Sequence, residues 1–141
     1  MGTLTPSYGG TLVDASVLIA VLRGQLDPDR LREEADDEPV AIAAITASEL
    51  LHGVHRLNSA VARLRAERFV ERILAAMPVI DFTLDVARVH ARVDAELSAA
   101  GTSVGDADLM IAATALWLDY RVATRDLRSF PRIAGLPVVR W

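Results

Sequence analysis

The sequence predicts an α/β fold, a mainly parallel sheet of about five strands with helices on both faces, and three observations carry that prediction. Short apolar runs of strand length alternate with longer segments of helical spacing. Aromatics are only 5% of the residues while Ala, Val, Leu and Ile dominate a 52% hydrophobic content, which suits helices packed on a buried sheet better than a sandwich of aromatic-rich strands. Strands joined through helices run parallel by right-handed crossovers. The 141 residues are expected to form one domain, with 1–10 a flexible N-terminus.

Thr11-Leu12-Val13 is a first strand ending in Asp14, and Ala15 to Arg23 continues as an apolar helix stopped by Gly24. The acidic stretch Leu26 to Glu38 opens Asp27-Pro28-Asp29, where Pro suits the first helical turn. Val40-Ala41-Ile42 is a second strand and Thr46 to His55 the helix after it. From Asn58 to Ala76, Arg and Glu alternate with Val61, Leu64, Phe69, Ile73 and Leu74, an amphipathic helix with a solvated face. Pro78-Val79-Ile80 is a third strand, Thr83 to Ala100 a long helix ended by Gly101, and Asp106 to Trp117 a shorter, more apolar one. Arg121 to Thr124 and Pro137 to Arg140 supply the last two strands.

Composition removes whole classes of function. With no cysteine, disulfides, thiolate chemistry and cysteine-held zinc are out, so any metal must be bound by oxygen or imidazole. All 15 basic residues are arginine, which removes the lysine-dependent P-loop nucleotide binders and the receivers and phosphatases that use a lysine. A net charge of −4 means that phosphate binding, if any, relies on local arginines and bound cations. No apolar run approaches the roughly 20 residues of a membrane span and the first ten residues lack a secretory pattern, so a cytoplasmic location is expected.

In parallel sheets, ligands bind beyond the carboxyl ends of the strands where strand order reverses, so acids at strand ends deserve scrutiny. Asp14 follows the first strand and fits either a site or a helix N-cap. Glu49 stands three residues after Thr46, which also makes a capping box. Asp108 shares a helical face with Ile111, Ala112 and Ala115, and a carboxylate aimed along a core stripe needs a partner. Asp106, about 200° round that helix, fits a cap with Ser103 or a supporting role. Asp126 follows the Arg121–Thr124 strand, where a turn role is the alternative. Joint placement of four acids in one crevice is what separate caps do not explain. Carboxylates about 4 Å apart repel by about 4 kcal/mol at an effective dielectric of 20, a penalty that a divalent cation removes. Oxygen ligands favour Mg²⁺, with Mn²⁺ able to substitute.

Read together, LVDASVLIA around Asp14, ITASELLHG around Glu49, SVGDADLMIAATAL around Asp108 and VATRDLRSF around Asp126 resemble the PIN-domain family, specifically the VapC-type toxin ribonucleases of bacterial toxin–antitoxin pairs. The resemblance spans residues 11 to 140. It implies a three-layer α/β/α fold and a Mg²⁺- or Mn²⁺-dependent endoribonuclease acting on single-stranded or loop RNA, with tRNA or rRNA as the source. It also implies a homodimer and a cognate antitoxin that neutralises the enzyme. Asp14, Glu49, Asp108 and Asp126 carry over as catalytic metal ligands, with Ser16 and Thr124 supporting the carboxylates and Asp106 beside them. Asp14 and Asp108 are expected to hold the main ion, Glu49 to bind it or orient the attacking water, and hydrolysis to leave a 5′-phosphate and a 3′-hydroxyl.

Other readings compete. Glu49-x-x-His52 could belong to a di-iron bundle, but no second such pair exists in the sequence. His52 and His55 suit ordinary helix positions as well as zinc. Arg65, Arg68 and Arg72 form a stripe for phosphates or a solvated face, and Trp117 and Trp141 suit packing more than base stacking. A catalytically degraded binding module of the same fold, or a nuclease for DNA or an RNA-maturation intermediate, are the alternatives in function.

Overall fold

The computed structural model describes residues 8–141. In chain order the elements are β1 (Thr11–Val13), α1 (Ala15–Leu22), α2 (Pro28–Ala35), β2 (Val40–Ala43), α3 (Ala44–His55), α4 (Ala60–Ala76), β3 (Val79–Ile80), α5 (Leu84–Ala99), α6 (Asp106–Leu118), β4 (Arg121–Thr124) and β5 (Val138–Arg140), with a 3₁₀ turn at Phe130–Arg132. All strand pairs are parallel and the order is β3-β2-β1-β4-β5, so the chain reverses its direction of travel across the sheet between β1 and β4.

Strand alternation sorts the core into two halves. Leu12, Ala41, Ala43 and Val122 face one way and pack against Val93 and Leu97 of α5, Leu109, Ile111, Ala112 and Ala115 of α6, and Phe130. Val13, Ile42 and Ala123 face the other way, against Val17 and Leu18 of α1, Leu50 and Val54 of α3, and Ala66 and Val70 of α4. This is the three-layer α/β/α architecture expected, each buried Leu or Ile contributing roughly 1.5–3 kcal/mol.

Of the N-terminal residues expected to be flexible, 1–7 lie outside the described residues. Gly9 donates to Asp119 O at 2.7 Å, and Gly10 leads into β1 where the backbone passes against Pro39 and Tyr120. A Cβ on Gly10 would sit 2.6 Å from Pro39 O and 2.7 Å from the Tyr120 ring, so only glycine fits.

The structure corrects several expectations. α3 begins at Ala44, not Thr46: β2 turns into the helix at Ala43 without a loop, leaving Thr46 buried inside the first turn, its hydroxyl without a partner among the described residues. The Thr46–Glu49 capping box does not form. Gly105 is the N-cap of α6 with no side-chain cap bond, so Ser103 and Asp106 do not cap it either, and Asp106 lies exposed in the first turn. On α4, Val61 is 80% and Leu64 49% exposed, while Ala66 and Val70 are buried and the expected Phe69, Ile73 and Leu74 pack half-buried against the core. Trp141 is buried as expected, but Trp117 is 43% exposed. No helix among the described residues is long and apolar enough to cross a membrane.

Candidate active site

The topology delivers acids to one place. β1 and β4 are neighbours in register, Val13 opposite Ala123, so Asp14 and Thr124 emerge side by side at the carboxyl edge where strand order reverses. Asp14 occupies the N-cap position of α1, yet its side chain makes no capping bond. Instead Oδ2 accepts from the Ser16 hydroxyl at 2.7 Å and from the Thr124 hydroxyl at 2.9 Å. Asp14 is only 8% exposed and Thr124 is fully buried. A buried carboxylate oxygen held by two hydroxyls is fixed in direction, and no donor meets Oδ1 among the described residues.

The hydroxyls are themselves oriented. Arg125 N donates to Ser16 Oγ at 3.0 Å, and Asp126 N donates to Thr124 Oγ1 at 3.0 Å. The second bond closes a small turn that lifts Asp126 beyond the end of β4.

Glu49 lies in the second turn of α3, exposed. Partial burial raises its carboxyl above the ordinary 4.5, and the Asp14 and Asp108 charges raise it further. Asp108, in the first turn of α6, is half-buried and is also raised, first by burial and then by Asp14 and Asp126, while the side chains of Ser129 and Arg128 favour its charged form. Glu49 and Asp108 thus both feel the Asp14 charge, and of the three acids Asp108 also feels the Arg128 cation.

Asp126 behaves differently. Its Oδ1 accepts from Arg128 N at 3.1 Å and Arg128 Nε at 2.9 Å, and its Oδ2 from Arg128 Nη2 at 2.8 Å. Those bonds hold the carboxyl well below its usual range, at about 2. The turn role allowed for Asp126 is thus present, as an Asx turn closed on Arg128. Among the described residues no three Asp, Glu or His side chains are drawn in round one point. The four expected ligands are neighbours, but they do not close as a cage, and one of them is already engaged by an arginine.

Arg128 was not singled out by sequence reasoning. The signal was present in Asp126-Leu127-Arg128, since an Asp followed two residues later by an arginine can close both a backbone and a side-chain bond. Also unforeseen is an apolar groove of about 530 Å³ between α1, α3 and α4, walled by Ile19, Leu22, Leu50, Val54 and Phe69, with Glu49 among its lining residues. His52 and His55 are exposed on α3 and join no metal-holding group among the described residues.

Known proteins share this chain's sequence pattern and fold. Ribonuclease VapC10 of Mycobacterium tuberculosis is 34% identical over 126 residues, 89% of each chain. A tRNA(fMet)-specific endonuclease VapC of Salmonella typhimurium is 29% identical over 130 residues, 92% of this chain and 96% of the relative. The DNA-bound VapBC structure from Salmonella typhimurium superposes with a TM-score of 0.83 at 29% identity, covering 94% of this chain and 98% of that one. The PIN domain family model matches residues 11–136. The chain belongs to the PIN domain family, among its VapC-type members.

Proposed function

We propose that this chain is a divalent-cation-dependent endoribonuclease toxin, cutting single-stranded or loop RNA from tRNA or rRNA in the cytoplasm and silenced by a cognate antitoxin. The observation that carries the reading is the set Asp14, Glu49 and Asp108, three carboxylates near the switch point, of which Glu49 and Asp108 are raised first by burial and then by neighbouring acids. Similarity to proteins named as ribonucleases supports the reaction class, and similarity to VapBC complexes supports the partner.

The donor set suits Mg²⁺ or Mn²⁺: every candidate atom is a hard carboxylate oxygen, and burial still raises Glu49 and Asp108 although the Arg128 charge reaches Asp108. Asp14 and Asp108 would hold the ion, joined by Glu49, whose exposed side chain is free to swing. When bound, the ion neutralises charge on the phosphodiester and lowers the pKa of a coordinated water. The protein's own part is directional. Ser16 and Thr124 aim Asp14, α6 places Asp108 against the core, and Glu49, whose raised carboxyl suits a base, would orient the attacking water and take its proton. In-line attack on phosphorus would expel the 3′ oxygen and leave a 5′-phosphate. The apolar groove that reaches Glu49 gives an antitoxin segment a seat beside the acids.

The test is an assay of partner-free protein on tRNA, unstructured RNA and single-stranded DNA, in EDTA, Mg²⁺ or Mn²⁺. Metal-dependent cleavage of RNA alone is expected. Cleavage of DNA at an equal rate would move the substrate class, and cleavage undiminished in EDTA would remove the metal. A second reading, a binding module with a degraded site, is favoured by one observation, that the acids stand apart. It predicts no cleavage of any substrate.

A further inference from the structure

We propose that Arg128 is the residue of this site that grips a substrate phosphate, and that Asp126 is its positioning residue and not a fourth metal ligand. The inference rests on the ribonuclease reading above.

A guanidinium carries five N–H donors in a rigid plane, grouped as two edges that can each meet a pair of oxygens. Arg128 spends its side edge, Nε and Nη2, on the two oxygens of Asp126, at 2.9 and 2.8 Å. Its end edge, Nη1 with the second hydrogen of Nη2, meets no acceptor among the described residues. The side chain is 85% exposed, so that edge opens to solvent. It is the shape that takes a phosphate through two parallel charge-assisted bonds.

The arginine is also aimed. The Thr124 hydroxyl that donates to Asp14 accepts from Asp126 N, and Asp126 in turn accepts from the Arg128 backbone and side chain. Two successive turns thus connect the acid at the end of β1 to the guanidinium, with no long loop between them. The Arg128 charge reaches Asp108, which places it beside the acids and not on a remote surface. An exposed surface pair of this kind contributes little to stability, so holding the fork in place is better explained by the geometry it imposes on the arginine. A carboxylate whose two oxygens are already forked is poorly placed to serve an ion as well.

The experiment compares the unsubstituted chain with Arg128→Ala, Arg128→Lys, Asp126→Ala and the Arg128→Ala/Asp126→Ala double variant. Calorimetric titration with Mn²⁺ alone reads the metal site, and steady-state cleavage of an unstructured RNA reads KM and kcat. Expected for Arg128→Ala is a rise in KM of about tenfold to a hundredfold with Mn²⁺ affinity unchanged within about twofold. Lysine should recover only part of the loss, since it lacks the fork. Asp126→Ala should resemble a milder Arg128→Ala, and the double variant should be no worse than Arg128→Ala. A loss of Mn²⁺ affinity of about tenfold or more in Asp126→Ala would overturn the proposal, and so would losses that multiply in the double variant. If the unsubstituted chain cleaves no RNA, the ribonuclease reading fails by itself. Fluorescence anisotropy with the same labelled RNA then decides this one: Arg128→Ala binding as tightly as the unsubstituted chain overturns it, and weaker binding upholds it.

Discussion

The Thr124 hydroxyl ties two halves of the site together, and its removal is the sharpest test at the scale of single residues. It donates to Asp14 at 2.9 Å and accepts from Asp126 N at 3.0 Å inside a fully buried pocket. Thr124→Val keeps the shape but leaves both partners short of a bond. It should destabilise the protein by roughly 1–3 kcal/mol in a denaturant titration, and Thr124→Ser should recover most of that. A valine variant as stable as the parent would show that the hydroxyl is incidental. Glu49 gives a prediction of opposite sign. Burial and the Asp14 and Asp108 charges raise it above 4.5, so in the absence of metal the fold favours its protonated form. Stability is then unaffected while pH lies below the unfolded value and declines as pH climbs through the raised one. In EDTA, Glu49→Gln should melt higher than the parent at pH 7, on the order of a degree or two, and equal to it near pH 4. Thermal melts at the two pH values check this, and a glutamine variant less stable at pH 7 contradicts it.

At the scale of elements, the boundaries explain what the sequence could and could not convey. Periodicity placed α1, α5, α6, β1, β2 and β4 within a few residues, because each has a buried face to report, whereas α2, which buries nothing, was legible only from its Asp27-Pro28 start. The start of α3 escaped it. Thr46 and Glu49 carry the spacing of a capping box, yet Ala43 and Ala44 are small enough for β2 to turn directly into the helix, and this moves Thr46 inside. On α4 the expected Phe69, Ile73 and Leu74 do pack against the core, but Ala66 and Val70 are the residues buried there while Val61 stays out. Close approach by a small residue leaves no hydrophobic signature. Gly10 is a third such case, because the Pro39 carbonyl and the Tyr120 ring that exclude a side chain are distant in sequence. Gly10→Ala should destabilise by roughly 1–3 kcal/mol, since backbone and ring would both have to shift. A chemical denaturation midpoint shows it, and an unchanged midpoint would mean that the strand start yields easily.

For the whole molecule, the order β3-β2-β1-β4-β5 is what converts scattered acids into a site. Asp14 and Asp126 follow strands that are adjacent only because the chain doubles back across β1. Glu49 and Asp108 come from helices on opposite faces of the sheet. The residues were legible because they sit in recognisable strings at strand and helix ends. Their division of labour was not, because the Asp126-Leu127-Arg128 spacing allows a turn without saying that the guanidinium takes both carboxylate oxygens. The proposed binding of one divalent ion by Asp14, Glu49 and Asp108 together is tested by thermal melting of metal-free protein with and without Mn²⁺. An ion bound only by the folded state raises its melting temperature, by about 2.7 kcal/mol of stability at a hundredfold excess over Kd. A clear rise is expected for the unsubstituted chain and none for Asp14→Asn or Asp108→Asn. A melting temperature indifferent to Mn²⁺ in the unsubstituted chain would contradict it and leave the acids as structural groups of a binding module.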